Sequence, residues 1–245
     1  MRKTFINKLS PFIVGASLMV FSVTTVFAYE GGDVSNGGSI SGKALFSGTA
    51  PARAKIDVTK DKEVCGVKEH LSDALVVNGN AVKNVIISIV NIESGKKVEL
   101  PTSNPELDQN GCVFNPHVIA VAAGTTIDIL NSDTVTHNVH TYPEENSAVN
   151  KAQPPSLKKI SLTTEFGEED PMKVSCDYHG WMSAWVGIFD HPYFAVTGDD
   201  GSFSLDNVPA GAYEVKAWQE ELGELVKTIT VKAGESSSCD FEFKQ

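Results

Sequence analysis

Beyond residue 38 the chain is built from short runs in which apolar and polar positions alternate, divided by glycine, proline, asparagine and aspartate. Ile40, Gly42, Ala44 and Phe46 alternate with Ser41, Lys43 and Leu45. Successive side chains of a strand face opposite ways, so this pattern predicts a half-buried strand. Residues 75–77 and 81–92 flank Asn78-Gly79, the dipeptide of a tight hairpin, with Val85, Ile87 and Ile89 on one face. A second group of predicted strands covers 113–121, 125–130, the segment around His137, 159–163, 172–176 and 184–189. A third group is a set of hairpins at 195–197, 203–205, 213–218, 227–232 and 240–243. Asp199-Asp200-Gly201 and Pro209-Ala210-Gly211 punctuate that group as turns, a better reading of the aspartate pair than a calcium site. Pro154-Pro155 and the acidic stretch 165–170 read as exposed loops. No long run repeats with the helical period, so the predicted class is all-β, with one short helix expected within 61–73.

The N-terminus is different. Arg2, Lys3 and Lys8 precede an uncharged stretch, 9–29, that reaches Val26-Phe27-Ala28, a small-x-small pattern. Residues 1–28 therefore read as a signal peptide, with an uncleaved membrane anchor as the competing reading. Residues 29–37 are a flexible lead-in by composition. The whole chain carries 20 basic and 31 acidic residues, a net charge of −11. Cleavage removes three basic residues and no acidic ones, leaving 17 against 31, or −14. Nucleic acids and anionic membranes need a basic face, so neither is an expected partner. A hydrophobic fraction of 41% with 21% charged residues excludes intrinsic disorder. The expected location is periplasmic or secreted, without stable membrane insertion after cleavage, where disulfides can form.

One heptad carries most of the chemistry. Cys176-Asp-Tyr-His179-Gly-Trp-Met182 places a thiolate, an imidazole and a thioether on one tight loop after a strand. Upstream, His137-Asn138-Val139-His140 follows the polar turn 131–133. A soft thiolate with two imidazoles and a weak thioether suits a blue copper centre, because it accommodates Cu(I) and Cu(II) with little rearrangement. Each donor has an ordinary alternative: Cys176 as a buried thiol or disulfide half, Met182 as core, and His140 in place of His137. His117 reads as a structural or surface residue and His191 as part of a junction between domains.

At these residues the segment from about 109 to 190 resembles the cupredoxins of the amicyanin and plastocyanin kind, with a ligand loop most like that of amicyanin, since plastocyanin's His-to-Met gap is longer. Phe114-x-Pro116, Ala123-Gly124-Thr125 and Asn131-x-Asp133 also fit that pattern. The resemblance implies a Greek-key β-sandwich holding one copper, Cu(I) or Cu(II), on His137, Cys176, His179 and Met182. It further implies that Asn138 pins the ligand loop by hydrogen bonding. His179 would present its imidazole edge near the surface as the electron port, framed by Gly180, Trp181 and Ser183. Tyr178, Trp181 and Trp185 would form the apolar shell of the site.

Outside that segment, 197–203 and 208–213 resemble the carboxypeptidase regulatory-like, or transthyretin-like, β-sandwich. Residues 38–46 and 83–90 resemble strands of the same family. The expected layout is one sandwich from 38–105 and 191–245 with a cupredoxin domain, 106–190, threaded through it. Three separate small units are the alternative. Cys65 and Cys112 are the expected disulfide, leaving Cys239 unpaired, although a Cys65–Cys239 pairing also fits the count.

The resulting expectation is a single-electron carrier and not an enzyme. Its partner would be another redox protein, such as a basic c-type cytochrome steered by Glu144, Glu145, Glu165, Glu168, Glu169 and Asp170. Copper delivery without redox work and a structural role are alternatives. A copper oxidoreductase is a further one, but it needs a second histidine-built site. Only His70, His117, His140 and His191 remain for that, with no His-x-His pair.

Overall fold

The computed structural model describes residues 28–90, 92–164 and 169–244. The segment read as a signal peptide, up to residue 27, and Glu165 and Glu168 lie outside the described residues. The regular structure of the rest is strand, apart from a single short helix at Lys62–Cys65 among the described residues. The fold is two packed β-sandwiches.

The first sandwich pairs a four-stranded sheet with a five-stranded one. The four-stranded sheet runs Lys159–Thr163, Thr126–Asn131, Glu106–Gln109, Phe114–Asn115, and the five-stranded sheet Asn150–Gln153, His137–Tyr142, Glu169–Ser175, Ser183–Phe189, Val118–Ala122. Alternation does the sorting: in Ser183–Phe189 the side chains of Ala184, Val186 and Ile188 are buried while Ser183 and Trp185 are only half-buried. Leu107, Ile127, Ile129, Val139, Val174 and Ile188 meet between the sheets. The expected strand 113–121 is divided, because Pro116 offers no amide hydrogen to a ladder. Phe114–Asn115 stays in one sheet and Val118–Ala122 crosses to the other.

The second sandwich draws its strands from both ends of the chain. One sheet runs Phe194–Val196, Ile86–Val90, Gly211–Gln219, Gly223–Val231. The other runs Ser202–Val208, Gly38–Phe46, Ala81–Val82, Val77–Asn78, with Ser236–Ser238 and Phe241–Phe243 also paired to Gly38–Phe46. Asn78-Gly79 makes the expected hairpin, Gly79 taking a φ of 66°. The run 81–92 is broken at Asn84, whose φ of 62° turns the chain from one sheet to the other. Ile87 and Ile89 pack into the core with Val215, Ala217, Phe241 and Phe243.

Ile86–Val90 is buried on both faces, which explains its continuous apolar run. Ile86 turns away from its own core and meets Val118 and Phe189 of the first sandwich. Beside it, Trp185 and Trp218 meet edge to face at 5.0 Å. His117 Nε2 lies 2.8 Å from Glu220 Oε2 across the same junction. His191 is buried there too, accepting the Tyr193 amide at Nδ1.

The 29–37 stretch is not a loose lead-in throughout. Glu30–Gly32 pairs in parallel with Ser94–Lys96, and the Tyr29 hydroxyl donates to the Lys96 carbonyl at 2.6 Å. Its glycines supply no side-chain pattern, but their amides still form a ladder.

Candidate metal centre

Local hydrogen bonding places the His137 side chain. The Asn131 carboxamide accepts the Asp133 amide at 3.0 Å, an Asx turn, and donates to the carbonyls of Val135 and Gln153. The turn aims the Asp133 carboxylate back at the strand that His137 opens, with Oδ2 2.9 Å from His137 Nε2. Asp133 also accepts the amides of Gly111 and Cys112, at 2.7 and 2.8 Å.

The loop from Cys176 to Met182 closes on itself. The Met182 amide donates to the His179 carbonyl at 2.9 Å, and the Cys176 amide to the Met182 carbonyl at 3.3 Å. Asn138 holds the loop from the neighbouring strand: its Oδ1 accepts the Asp177 amide at 2.5 Å, and its own amide points at Cys176 Sγ at 3.4 Å. Its Nδ2 reaches Asp177 and Asn150, at 3.1 and 2.9 Å.

These elements bring three of the expected donors together. His137 Nδ1 and His179 Nδ1 lie 3.0 Å apart, and Cys176 Sγ is 3.9 Å from the first and 3.6 Å from the second. All three residues are buried, and Met182 is buried in the same apolar cluster as Cys176. The His179 Nε2 lies 2.8 Å from Asp61 Oδ2. A carboxylate only accepts, so each Nε2 carries its hydrogen, and each Nδ1 offers a lone pair whenever its ring is neutral. Two Nδ1 atoms and a sulfur converging at these distances fit a soft cation, which would take the place of the proton held between them.

Without a cation the cluster holds a proton. Burial pushes His137 down, but the Asp133 carboxylate and Cys176 outweigh it and lift its pKa to about 9. Burial raises the Cys176 thiol, yet His137 and the amides of Asn138, His179 and Tyr178 bring it below its ordinary value. The direction for the pair is therefore thiolate and imidazolium. Burial holds His179 below the usual histidine range, with Asp61 opposing. Cys112 also approaches Asp133 and His137, but its sulfur is bonded to Cys65 and is not available to a metal.

Residues 102–188 match the family model described as copper binding proteins, plastocyanin/azurin family. This part of the chain is similar to the cupredoxins. A purple cupredoxin from Nitrosopumilus maritimus is 16% identical with a TM-score of 0.29, over 35% of this chain and 99% of that one. An amicyanin variant in the Cu(I) state is 19% identical with a TM-score of 0.32, over 42% of this chain and 97% of its own. A Cu-containing nitrite reductase from Thermus scotoductus is 16% identical with a TM-score of 0.30, over 50% of this chain but 27% of its own. Residues 180–239 match a second model, polysaccharide lyase family 4, domain II, itself a β-sandwich, in keeping with the expected flanking sandwich. No curated protein matches the chain.

The cupredoxin-like sandwich departs from expectation in three places. His179 presents no edge to solvent: it is fully buried, because Asp61 covers its Nε2 and Trp181 packs on its ring at 5.1 Å. Trp185 does not line the copper loop, since strand alternation turns it outward to Trp218. Tyr178 is largely exposed, with the Lys60 ammonium 4.9 Å from its ring centre. His140 points away from the donors and meets Asp177 at 3.0 Å, so only His137 joins the cluster.

Two carboxylates that meet the histidines, Asp61 and Asp133, have no role in the sequence expectation. Asp133 stood in the Asn131-x-Asp133 pattern, but its carboxylate had no assigned role. Asp61 lies four residues before Cys65, and Cys65 is bonded to Cys112 at 2.04 Å. That pairing brings the 53–73 stretch onto the cupredoxin-like sandwich. Cys239 is a buried free thiol in the other core, raised by burial, which suits an inert residue.

Proposed function

We propose that this chain is an exported type 1 (blue) copper protein that carries single electrons between redox partners. The convergence of His137 Nδ1, His179 Nδ1 and Cys176 Sγ supports this reading most directly. Those three residues and Met182 would hold one copper, which supplies a one-electron Cu(I)/Cu(II) couple. The chain's own contribution is rigidity and dryness. Asp133 and Asp61 fix both imidazoles, Asn138 fixes the loop, and burial excludes water from the thiolate. A site held this firmly changes little when its charge changes, the requirement for fast electron exchange.

Carrier work is favoured over catalysis by the commitments of the other histidines. His70 meets the Cys65 carbonyl, His117 Glu220, His140 Asp177, and His191 the Tyr193 amide. They are scattered, whereas a substrate copper needs converging ligands. Export is supported by the N-terminal sequence and by the Cys65–Cys112 bond. Among the described residues no helix is long and apolar enough to cross a membrane. The division into a cupredoxin domain, 106–190, within a sandwich of 38–105 and 191–245 belongs to the same reading. Limited proteolysis that releases 106–190 while the flanks stay associated supports it, and separation of the flanks refutes it. The partner is a basic redox protein such as a c-type cytochrome, drawn by the excess of acidic residues. Titration with Cu(II) tests the copper reading: an intense thiolate absorption must appear and must be absent from Cys176→Ser.

A further inference from the structure

We propose that Asp61 is a positioning residue of the copper site. Its carboxylate holds His179 so that the Nδ1 lone pair faces Cys176. The consequence for copper rests on the function proposed above; the orientation of His179 does not.

The residue sits far from the ligand loop in sequence, 118 positions before His179, yet its Oδ2 lies 2.8 Å from His179 Nε2. Asp61 also occupies the N-cap of the helix Lys62–Cys65, where an aspartate normally turns its carboxylate to the amides of the first turn. Here the side chain makes no cap bond. Only its backbone carbonyl serves the helix, accepting the amides of Val64 and Cys65 at 3.0 and 2.8 Å. With φ 48° and ψ 45° the backbone is left-handed, a conformation aspartate tolerates better than most residues. The carboxylate is thereby turned from its own helix toward the imidazole.

The surroundings keep it there. Cys65, at the end of that helix, is bonded to Cys112. The Cys112 carbonyl accepts the Trp181 indole hydrogen at 3.0 Å, and Trp181 packs on His179. The Cys112 amide donates to Asp133, the partner of His137. One disulfide thus joins the two carboxylates that hold the two imidazoles. A negative charge behind His179 makes the ring a stronger donor, favours the higher metal charge and lowers the reduction potential.

Nitrogen-15 NMR of the full-length apoprotein reads the orientation without any metal. His179 is expected as the Nε2–H tautomer, and Asp61→Ala is expected to lose that preference. Asp61→Asn keeps an acceptor but not the charge, so Co(II) affinity should fall about 10–100-fold in both variants. The potential of copper-loaded protein should rise in both and return toward wild type in Asp61→Glu. Thermal melts separate these effects from loss of folding. A wild-type His179 bearing its proton on Nδ1 overturns the proposal, as do Asn and Ala variants with wild-type Co(II) affinity and potential. If wild-type protein shows no Cu(II)–thiolate absorption, the copper reading fails while the NMR result still decides the role of Asp61.

Discussion

Around Phe241 and Phe243 the flanking sandwich buries Ile40, Val82, Ile87, Ile89, Leu205 and Val215, with Asn84, Ser88, Thr197 and Gln219 buried elsewhere in the same unit. Around Cys176 the cupredoxin-like sandwich buries Asp133, His137, Asn138, His179, Gln109 and Gln153 together with its aliphatic residues. Buried polar groups are costly unless hydrogen-bonded, and here they bond one another: Gln109 Nε2 donates to Gln153 Oε1 at 2.7 Å, and Gln153 to the Ile129 carbonyl at 3.0 Å. The first core supplies stability, while the second gives up apolar packing to hold donors at fixed places.

The contrast makes its largest prediction in the apolar core. Phe241→Ala should cost about 3–5 kcal/mol in urea unfolding and leave the Cu(II) absorption of folded protein unchanged. A changed absorption would break the division of labour. Replacing Cys65 and Cys112 together by serine should cost about 2–4 kcal/mol, and should also weaken Co(II) binding because Asp61 loses its anchor. Asp133→Asn should change stability less but reduce Co(II) affinity about 10–100-fold, read by competition with a chelator.

Proton release gives a smaller signal. His137 is held protonated up to about 9 and Cys176 is already driven toward thiolate. Copper binding near neutral pH should therefore expel about one proton, seen with an indicator dye, and the release should fade as pH rises through about 9. The smallest expected effect is that of salt on electron exchange. Raising ionic strength should slow reduction by a basic cytochrome, and an unchanged rate would remove charge steering from the account.

The sequence made the β class readable because alternation and turn dipeptides are local signals: Asn78-Gly79 and the 38–46 run needed nothing else. The spacing of Cys176, His179 and Met182 was readable for the same reason, since one loop holds all three. What stayed hidden depends on contacts between distant segments. Trp185 looks like part of the ligand loop until Trp218 is brought beside it. His179 looks like an exposed port until the Cys65–Cys112 bond lays Asp61 across it. The strand Asn150–Gln153 carries no apolar alternation, because Asn150, Lys151 and Ala152 are exposed and only Gln153 is buried.

The central claim is that Cys176 is a copper ligand within a His137–His179 pair. Its direct measurement is the visible absorption of full-length protein on adding one equivalent of Cu(II), with Cys176→Ser alongside. An intense thiolate-to-copper band is expected in the wild type and none in the variant. A colourless wild-type protein with Cys176 unmodified, or the same band in both proteins, would contradict it.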